Sequence, residues 1–306
     1  MKRIAIAAVV ILPAFAASFM MKHWVRERLV DLEPRADATV SCGRVVSMSP
    51  GITETVFALG LGSRVVGVTR YCAYPPEAAS RFQVGGFLDP NYEALLALRP
   101  DLILLTPFHR ELWPELDQLG LHYEVIAQDT VADIRGSFIR LGALCGCETQ
   151  AQTMAADLDR HLADIARHTE GRPRQRVLMT TGRDVHSGTL NDVYAVSSGS
   201  FLSELLTLAG GENCVPGGAA EYPALSAEGI LRLDPEVIIE FGPDTGAGAA
   251  SEAVSAWRAL PGLAAVRQAR VFYLGGAQFT IPGPRITETL DALERCLHPG
   301  EEQRLS

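Results

Sequence analysis

Two fifteen-residue stretches of this chain read alike. NYEALLALRPDLILL begins at Asn91 and SAEGILRLDPEVIIE begins at Ser226. Glu93 aligns with Glu228, Leu96 with Leu231, Leu98 with Leu233 and Pro100 with Pro235, and 228 − 93 = 135 is the offset throughout. Each stretch reads as a helix, a Pro-containing turn and an apolar strand. Pro cannot continue a helix, and it biases the residue before it away from the helical region. A unit that occurs once in each half of 306 residues predicts two similar lobes, in line with roughly 100–200 residues per domain.

The rest of the chain fits that division. Arg44–Met48, Val65–Val68, Leu102–Leu105 and Tyr123–Ile126 are short apolar runs, separated by helical stretches at Thr53–Leu59 and Glu93–Leu98. After residue 175 the order returns, with strands at Val177–Thr180, Val237–Glu240 and Val271–Leu274 and a helix at Phe201–Leu208. Continuous apolar strands alternating with helices predict parallel α/β sheets. Between the halves, Glu148–Arg167 holds no Gly or Pro, and Met154, Leu158, His161, Leu162 and Ile165 recur at helical spacing. One helix of about 20 residues would span roughly 30 Å. A helical connector hinges less freely than loops, so small lobe motion is expected.

The N-terminus is set apart. Lys2 and Arg3 precede Ile4–Met21, an uncharged run with Ala14-Phe15-Ala16 inside it. This reads as an export signal peptide or an N-terminal membrane anchor. The expected divisions are 1–21 signal or anchor, 22–42 linker, 43–147 N-terminal α/β lobe, 148–170 connecting helix, 171–298 C-terminal α/β lobe and 299–306 tail. The body is therefore expected to be periplasmic or otherwise extracytoplasmic. Lys plus Arg number 27 against 36 Asp plus Glu, a net charge of −9, with no polybasic stretch. Nucleic acid is not an expected partner, and a monomer is expected.

Export permits disulfides. The six cysteines are Cys42, Cys72, Cys145, Cys147, Cys214 and Cys296, with no C-x-x-C pair. A Cys214–Cys296 bridge is one open pairing; buried thiols are the other reading. No G-x-S-x-G nucleophile elbow occurs, Gly60-Leu61-Gly62 lacks the third glycine of a dinucleotide loop, and no two histidines stand four apart. No catalytic residue, cofactor or metal ligand is assigned.

Aromatic residues instead gather after strands, where ligands of open α/β sheets bind. Tyr71 follows the 65–68 strand, Phe87 lies in Gly85-Gly86-Phe87, Phe108 follows the 102–105 strand and Tyr222 precedes the second repeat helix. Phe279 and Arg285 flank Pro282-Gly283-Pro284. A bulky organic ligand needs broad apolar contact with a few polar groups.

RVVSMSPGITETVFALGLGSRVVGVTRYCAYPPEA and GGFLDPNYEALLALRPDLILL resemble the N-terminal lobe of the ABC-importer substrate-binding proteins for metal chelates, the cobalamin, ferric-siderophore and haem binders. AGGENCV, YPALSAEGILRLDPEVIIEFGPD and PGPRITETLDAL resemble their C-terminal lobe. The resemblance covers about residues 43–298. It implies a class III solute-binding protein: two Rossmann-like lobes with parallel sheets joined by one long rigid α-helix, ligand held in the cleft, and an ABC permease and ATPase complex as partner. It implies that Glu93 and Glu228 dock onto arginines of the permease, and that Tyr71, Phe87 and Tyr222 occupy aromatic cleft positions of the cobalamin binder. For an anionic iron chelate, Arg183 and Arg285 are the candidate contacts. The expected ligand is a corrinoid or an iron chelate. The alternatives are a bare divalent metal, with His109 and His186 as candidate ligands, and an enzyme or sensor domain that reuses the fold.

Overall fold

The computed structural model describes residues 41–183, 190, 192–218, 220–242, 246 and 248–299. The signal or anchor, most of the linker and most of the tail lie outside the described residues. Among the described residues no helix is long and apolar enough to cross a membrane.

The first lobe runs β1 (Val45–Ser47), α1 (Pro50–Ala58), β2 (Val65–Val68), α2 (Pro76–Ala79), β3 (Phe82–Gln83), α3 (Tyr92–Leu98), β4 (Leu102–Leu105), α4 (Trp113–Gln118), β5 (Tyr123–Val125) and α5 (Val131–Cys145). Its strands are all parallel in the order β3-β2-β1-β4-β5. The chain winds outward from β1 in one direction and then from β4 in the other. That reversal leaves a crevice beyond the carboxyl ends of β1 and β4. Leu102–Leu105 is fully buried, as a strand covered by helices on both faces must be.

The connector α6 spans Glu148–Thr169. It lays Ala151, Ala155, Leu158 and Ile165 into the interior. Val131, Ile134 and Phe138 of α5 and Ala155, Leu158 and Ile165 of α6 share one apolar cluster with residues of the second sheet.

The second lobe runs β6 (Gln175–Gly182), β7 (Val193–Ala195), α7 (Phe201–Leu208), β8 (Gly211–Asn213), β9 (Ala224–Leu225), α8 (Ala227–Leu233), β10 (Val237–Gly242), α9 (Ala249–Ala256), α10 (Ala264–Arg267), β11 (Val271–Gly275) and α11 (Ile286–Leu297). Its path is β11-β10-β6-β7-β9, with β8 also pairing β6. The pairs β11–β10, β10–β6 and β6–β8 are parallel as expected, and an antiparallel edge is added to them. β7 runs antiparallel to β6, and β9 antiparallel to β7. The strands involved are only two or three residues long, too short for an apolar run to betray them.

The repeat stretches fold alike in detail. Asn91 Oδ1 accepts a hydrogen bond from the Ala94 N–H at 3.0 Å, and Ser226 Oγ accepts one from the Gly229 N–H at 3.2 Å. Both side chains cap a seven-residue helix. The helices end at Arg99 (φ 46°) and Asp234 (φ 38°), each left-handed and each directly before its Pro.

The cysteines pair differently from the bridge held open above. Cys42 is joined to Cys145, while Cys72, Cys147, Cys214 and Cys296 are free. Strand alternation explains why Cys214 and Cys296 do not meet. Val177 and Met179 of β6 face the apolar cluster that holds Cys296, whereas Leu178 faces the one against which Cys214 packs. The two thiols lie on opposite faces of one sheet. Burial pushes both up to about 11, so neither is a thiolate at neutral pH. The bridge also ties Cys42, the last residue of the expected linker, to the end of α5.

Candidate ligand cleft and docking faces

The loops that follow the first sheet's strands present the expected aromatics to solvent. Tyr71, three residues beyond β2, is 56 % exposed, and Phe108, three beyond β4, is 61 % exposed. Phe87 is half-buried, with its ring centroid 4.3 Å from that of His109. The turn that carries it needs glycine. Gly85 has φ +113°, and a Cβ there would come within 2.5 Å of the Asp89 carbonyl oxygen. Arg70 donates to Asp89 at 2.7 Å and sits 5.8 Å from the Tyr71 ring centre.

His109 does not serve as a cleft ligand. It is fully buried, and its Nδ1 accepts from the Thr106 N–H at 2.9 Å. Burial holds its pKa below the usual imidazole range, against backbone hydrogen bonds that oppose the shift. It supports Phe87 as a neutral ring. The companion residue of the bare-metal reading, His186, lies outside the described residues. Among the described residues no group of three or more His, Cys, Asp or Glu is placed to hold a metal ion.

From the second lobe, Tyr222 is 39 % exposed, just before β9. β9 pairs with β7, and the Glu221 carbonyl accepts from the Ser197 N–H at 3.0 Å. Burial, followed by the charges of Glu221 and Asp129, pushes the Tyr222 phenol well above its ordinary range. Burial chiefly, with Asp129 adding, also raises the Glu221 carboxyl, which its hydrogen bond from Tyr222 only partly offsets. Asp129 is raised by burial and then by Asp133. Phe279 is half-buried and packs against the second lobe's apolar cluster.

The two candidate arginines are engaged with carboxylates. Arg285 at the start of α11 donates from Nε to Glu54 Oε2 at 2.9 Å and from Nη2 to Glu54 Oε1 at 2.5 Å. Its guanidinium also lies 3.9 Å from the Tyr74 ring centre. Glu54 is buried in α1, and burial raises its carboxyl although Arg285 opposes the shift. This pair links the lobes. Beside it runs an open groove of about 640 Å³, lined by Glu54, Phe57, Tyr74, Arg81, Arg285 and Glu288, and none of the expected cleft aromatics reaches it. Arg183 donates from Nε to Glu240 Oε1 at 3.0 Å, and Trp257 Nε1 donates to Glu240 Oε2 at 2.7 Å.

Sequence reasoning allows both arginines a carboxylate partner but does not identify Glu54 and Glu240 as those partners. Glu54 sits in an apolar helix and Glu240 in an apolar strand, so each is a charge that demands a buried counter-ion. That demand is the signal that could have found them. It also missed further contacts between the lobes. The Phe201 N–H donates to the Asp129 carbonyl at 3.1 Å, and the Val131 N–H donates to Glu204 Oε2 at 3.0 Å. At Gly51 the lobes touch so closely that a Cβ would lie 2.1 Å from the Pro282 carbonyl oxygen.

Glu93 and Glu228 both stand exposed in the first turns of α3 and α8. The helix dipole accounts for a carboxylate there, but not for its recurrence in both lobes.

Comparison with known proteins agrees with this architecture. A vitamin B12-binding protein of Vibrio cholerae is 30 % identical over 255 residues, covering 82 % of this chain and 87 % of its own. The crystal structure of the periplasmic vitamin B12-binding protein BtuF of Vibrio cholerae matches with a TM-score of 0.72 at 26 % identity, covering 83 % of this chain and 96 % of that one. A periplasmic haem-binding protein of Pseudomonas aeruginosa shares the fold, with a TM-score of 0.70 at 24 % identity over 84 % of this chain and 93 % of that one. The family described as periplasmic binding protein matches residues 45–277, and the chain belongs to it.

Proposed function

We propose that this protein is the extracytoplasmic solute-binding component of an ABC importer, that it captures a corrinoid between its lobes without catalysis, and that it hands the ligand to the membrane permease. The observation that carries the cargo is the character of the cleft loops. Tyr71, Phe108 and Tyr222 offer exposed aromatic surface from both lobes, while Arg285 and Arg183 are taken up by Glu54 and Glu240. An anionic iron chelate would have to break those pairs to use either arginine. A broad, amide-fringed macrocycle needs apolar faces and hydrogen bonds, not free cations. The similarity to vitamin B12-binding proteins supports the same ligand.

Absorbance titration of the purified protein with cyanocobalamin, haem and ferric siderophores tests the cargo. Sub-micromolar cyanocobalamin binding, weakened at least tenfold by Phe87→Ala with Tyr222→Ala, is expected. Preference for haem or a ferric siderophore would replace the corrinoid. No chelate bound, with a bare metal retained through purification, would overturn the reading.

Delivery is assigned to Glu93 and Glu228. Two exposed carboxylates at matching places can orient a cationic partner. Glu93→Ala with Glu228→Ala is expected to leave ligand affinity unchanged and abolish uptake; normal uptake by the double variant would refute the assignment.

A further inference from the structure

Each carboxylate has an apolar neighbour that the fold does not use. On α3 and α8, residues three apart share a face. Leu96 lies one turn beyond Glu93, and Leu231 one turn beyond Glu228. They are 43 % and 45 % exposed. Their helices have ample inward anchorage, since Leu95 and Ile230 at the next repeat position are fully buried. Among the exposed large apolar side chains, Leu96 and Leu231 are the pair related by the 135-residue offset. A single exposed leucine is ordinary. The same exposed leucine, beside the same exposed carboxylate, on a helix with the same cap in both lobes is not what packing requires.

We infer that each lobe docks through a two-part patch, carboxylate plus leucine, onto a permease that offers a cationic side chain beside an apolar recess, once for each lobe. This rests on the docking reading of Glu93 and Glu228. Charge complementarity selects the occupant. A second copy matched patch to patch would set carboxylate against carboxylate at Glu93, whereas a cationic partner reaches Glu93 directly and Glu228 by displacing Arg232. An apolar recess beside the ion pair also excludes water and strengthens it, as near-neutral contacts do around an interface hot spot. The carboxylates supply steering and orientation, and the leucines supply a slower release.

The test measures binding of the full-length protein to the importer's permease–ATPase complex in lipid vesicles. The variants are Leu96→Ser with Leu231→Ser, Leu96→Met with Leu231→Met, and Glu93→Ala with Glu228→Ala. The serine pair should weaken docking at least tenfold, mainly through faster dissociation, with cyanocobalamin affinity and thermal midpoint unchanged. The methionine pair should dock nearly as the parent does. If the glutamate pair weakens docking and the serine pair does not, the leucine inference falls and the docking reading stands. If neither pair weakens docking, both fall. If the serine pair instead dissolves a dimer seen by sedimentation and leaves permease binding intact, the patch is a self-association face and the inference is overturned.

Discussion

In both lobes an arginine at or just before the opening strand turns back on the repeat helix. Arg44 donates to the Leu98 and Arg99 carbonyls, and Arg176 to the Leu233 carbonyl. The backbone N–H of each arginine is received by the acid just past the repeat Pro, Asp101 at 2.9 Å and Glu236 at 2.8 Å. These acids are again 135 residues apart. The lobes part company around the cleft aromatic. Phe87 leans on His109 at the mouth of a glycine turn, in an all-parallel sheet. Tyr222, at the same repeat position, leads into an antiparallel edge strand. The lesson is that the shared framework fixes one thing, the helix with its exposed carboxylate and leucine. The surroundings of the aromatic differ between the lobes, as the proposed grip on opposite sides of an asymmetric ligand would require.

Stabilising devices divide between the lobes too, and removing them sharpens the contrast. The largest effect is expected from the bridge. Cys42–Cys145 closes a separation of 103 residues within the first lobe, and cross-linking a loop of about 100 residues is worth about 4–5 kcal/mol in the chain-entropy account. Cys42→Ser should lower the unfolding free energy from denaturant titration by that order, whereas Cys214→Ser with Cys296→Ser should cost far less. Equal losses would show that the second lobe is stapled as well. Next comes the buried ion pair of the second lobe. Arg183 and Glu240 are each 8 % exposed, and stranding one partner of such a pair costs roughly 3–5 kcal/mol. Arg183→Ala should approach that figure. Its counterpart test is Arg70→Ala in the first lobe, where Arg70 and Asp89 are 48 % and 73 % exposed and about 1 kcal/mol or less is expected. Thermal or urea unfolding of both variants gives the comparison, and similar losses would deny that the second lobe depends on its buried charges.

The elements that could be read from sequence are those whose physics is local. β2, β4 and α7 begin and end where their apolar runs do, and α6 declares itself through spacing and the absence of Gly and Pro. The matched repeat located α3 and α8 because Pro100 and Pro235 punctuate both at the same distance. What escaped depends on partners remote in sequence. The Cys42–Cys145 bridge, the Glu54–Arg285 link across 231 residues and the burial of His109 are set by tertiary packing. The antiparallel pairing of β7 and β9 escaped for a different reason, since strands of three and two residues have no period to detect. For the candidate site, sequence offered aromatics after strands and two arginines open to carboxylate pairing, but it could not say that the partners are Glu54 and Glu240.

The smallest effect probes a charge difference between the two proposed docking patches. Glu228 forms an ion pair with Arg232, one turn on in α8, with side chains 76 % and 77 % exposed. The first lobe has Ala97 at the matching position, which leaves Glu93 without that neighbour. An exposed i,i+4 pair is worth about 0.3–0.5 kcal/mol. A cationic partner must displace Arg232 to reach Glu228, and it also meets the repulsion of that guanidinium. The second patch is therefore the weaker of the two. Arg232→Ala should tighten docking by about twofold and make the single variants Glu93→Ala and Glu228→Ala more nearly equal in their effect on uptake. Arginine placed in the first lobe by Ala97→Arg should do the reverse by a similar factor. Raising salt should narrow both differences, because exposed pairs are screened over about 10 Å at 0.1 M. If Arg232→Ala weakens docking instead, the arginine contacts the partner directly, and the two lobes meet the permease by different chemistry in spite of their matching frames.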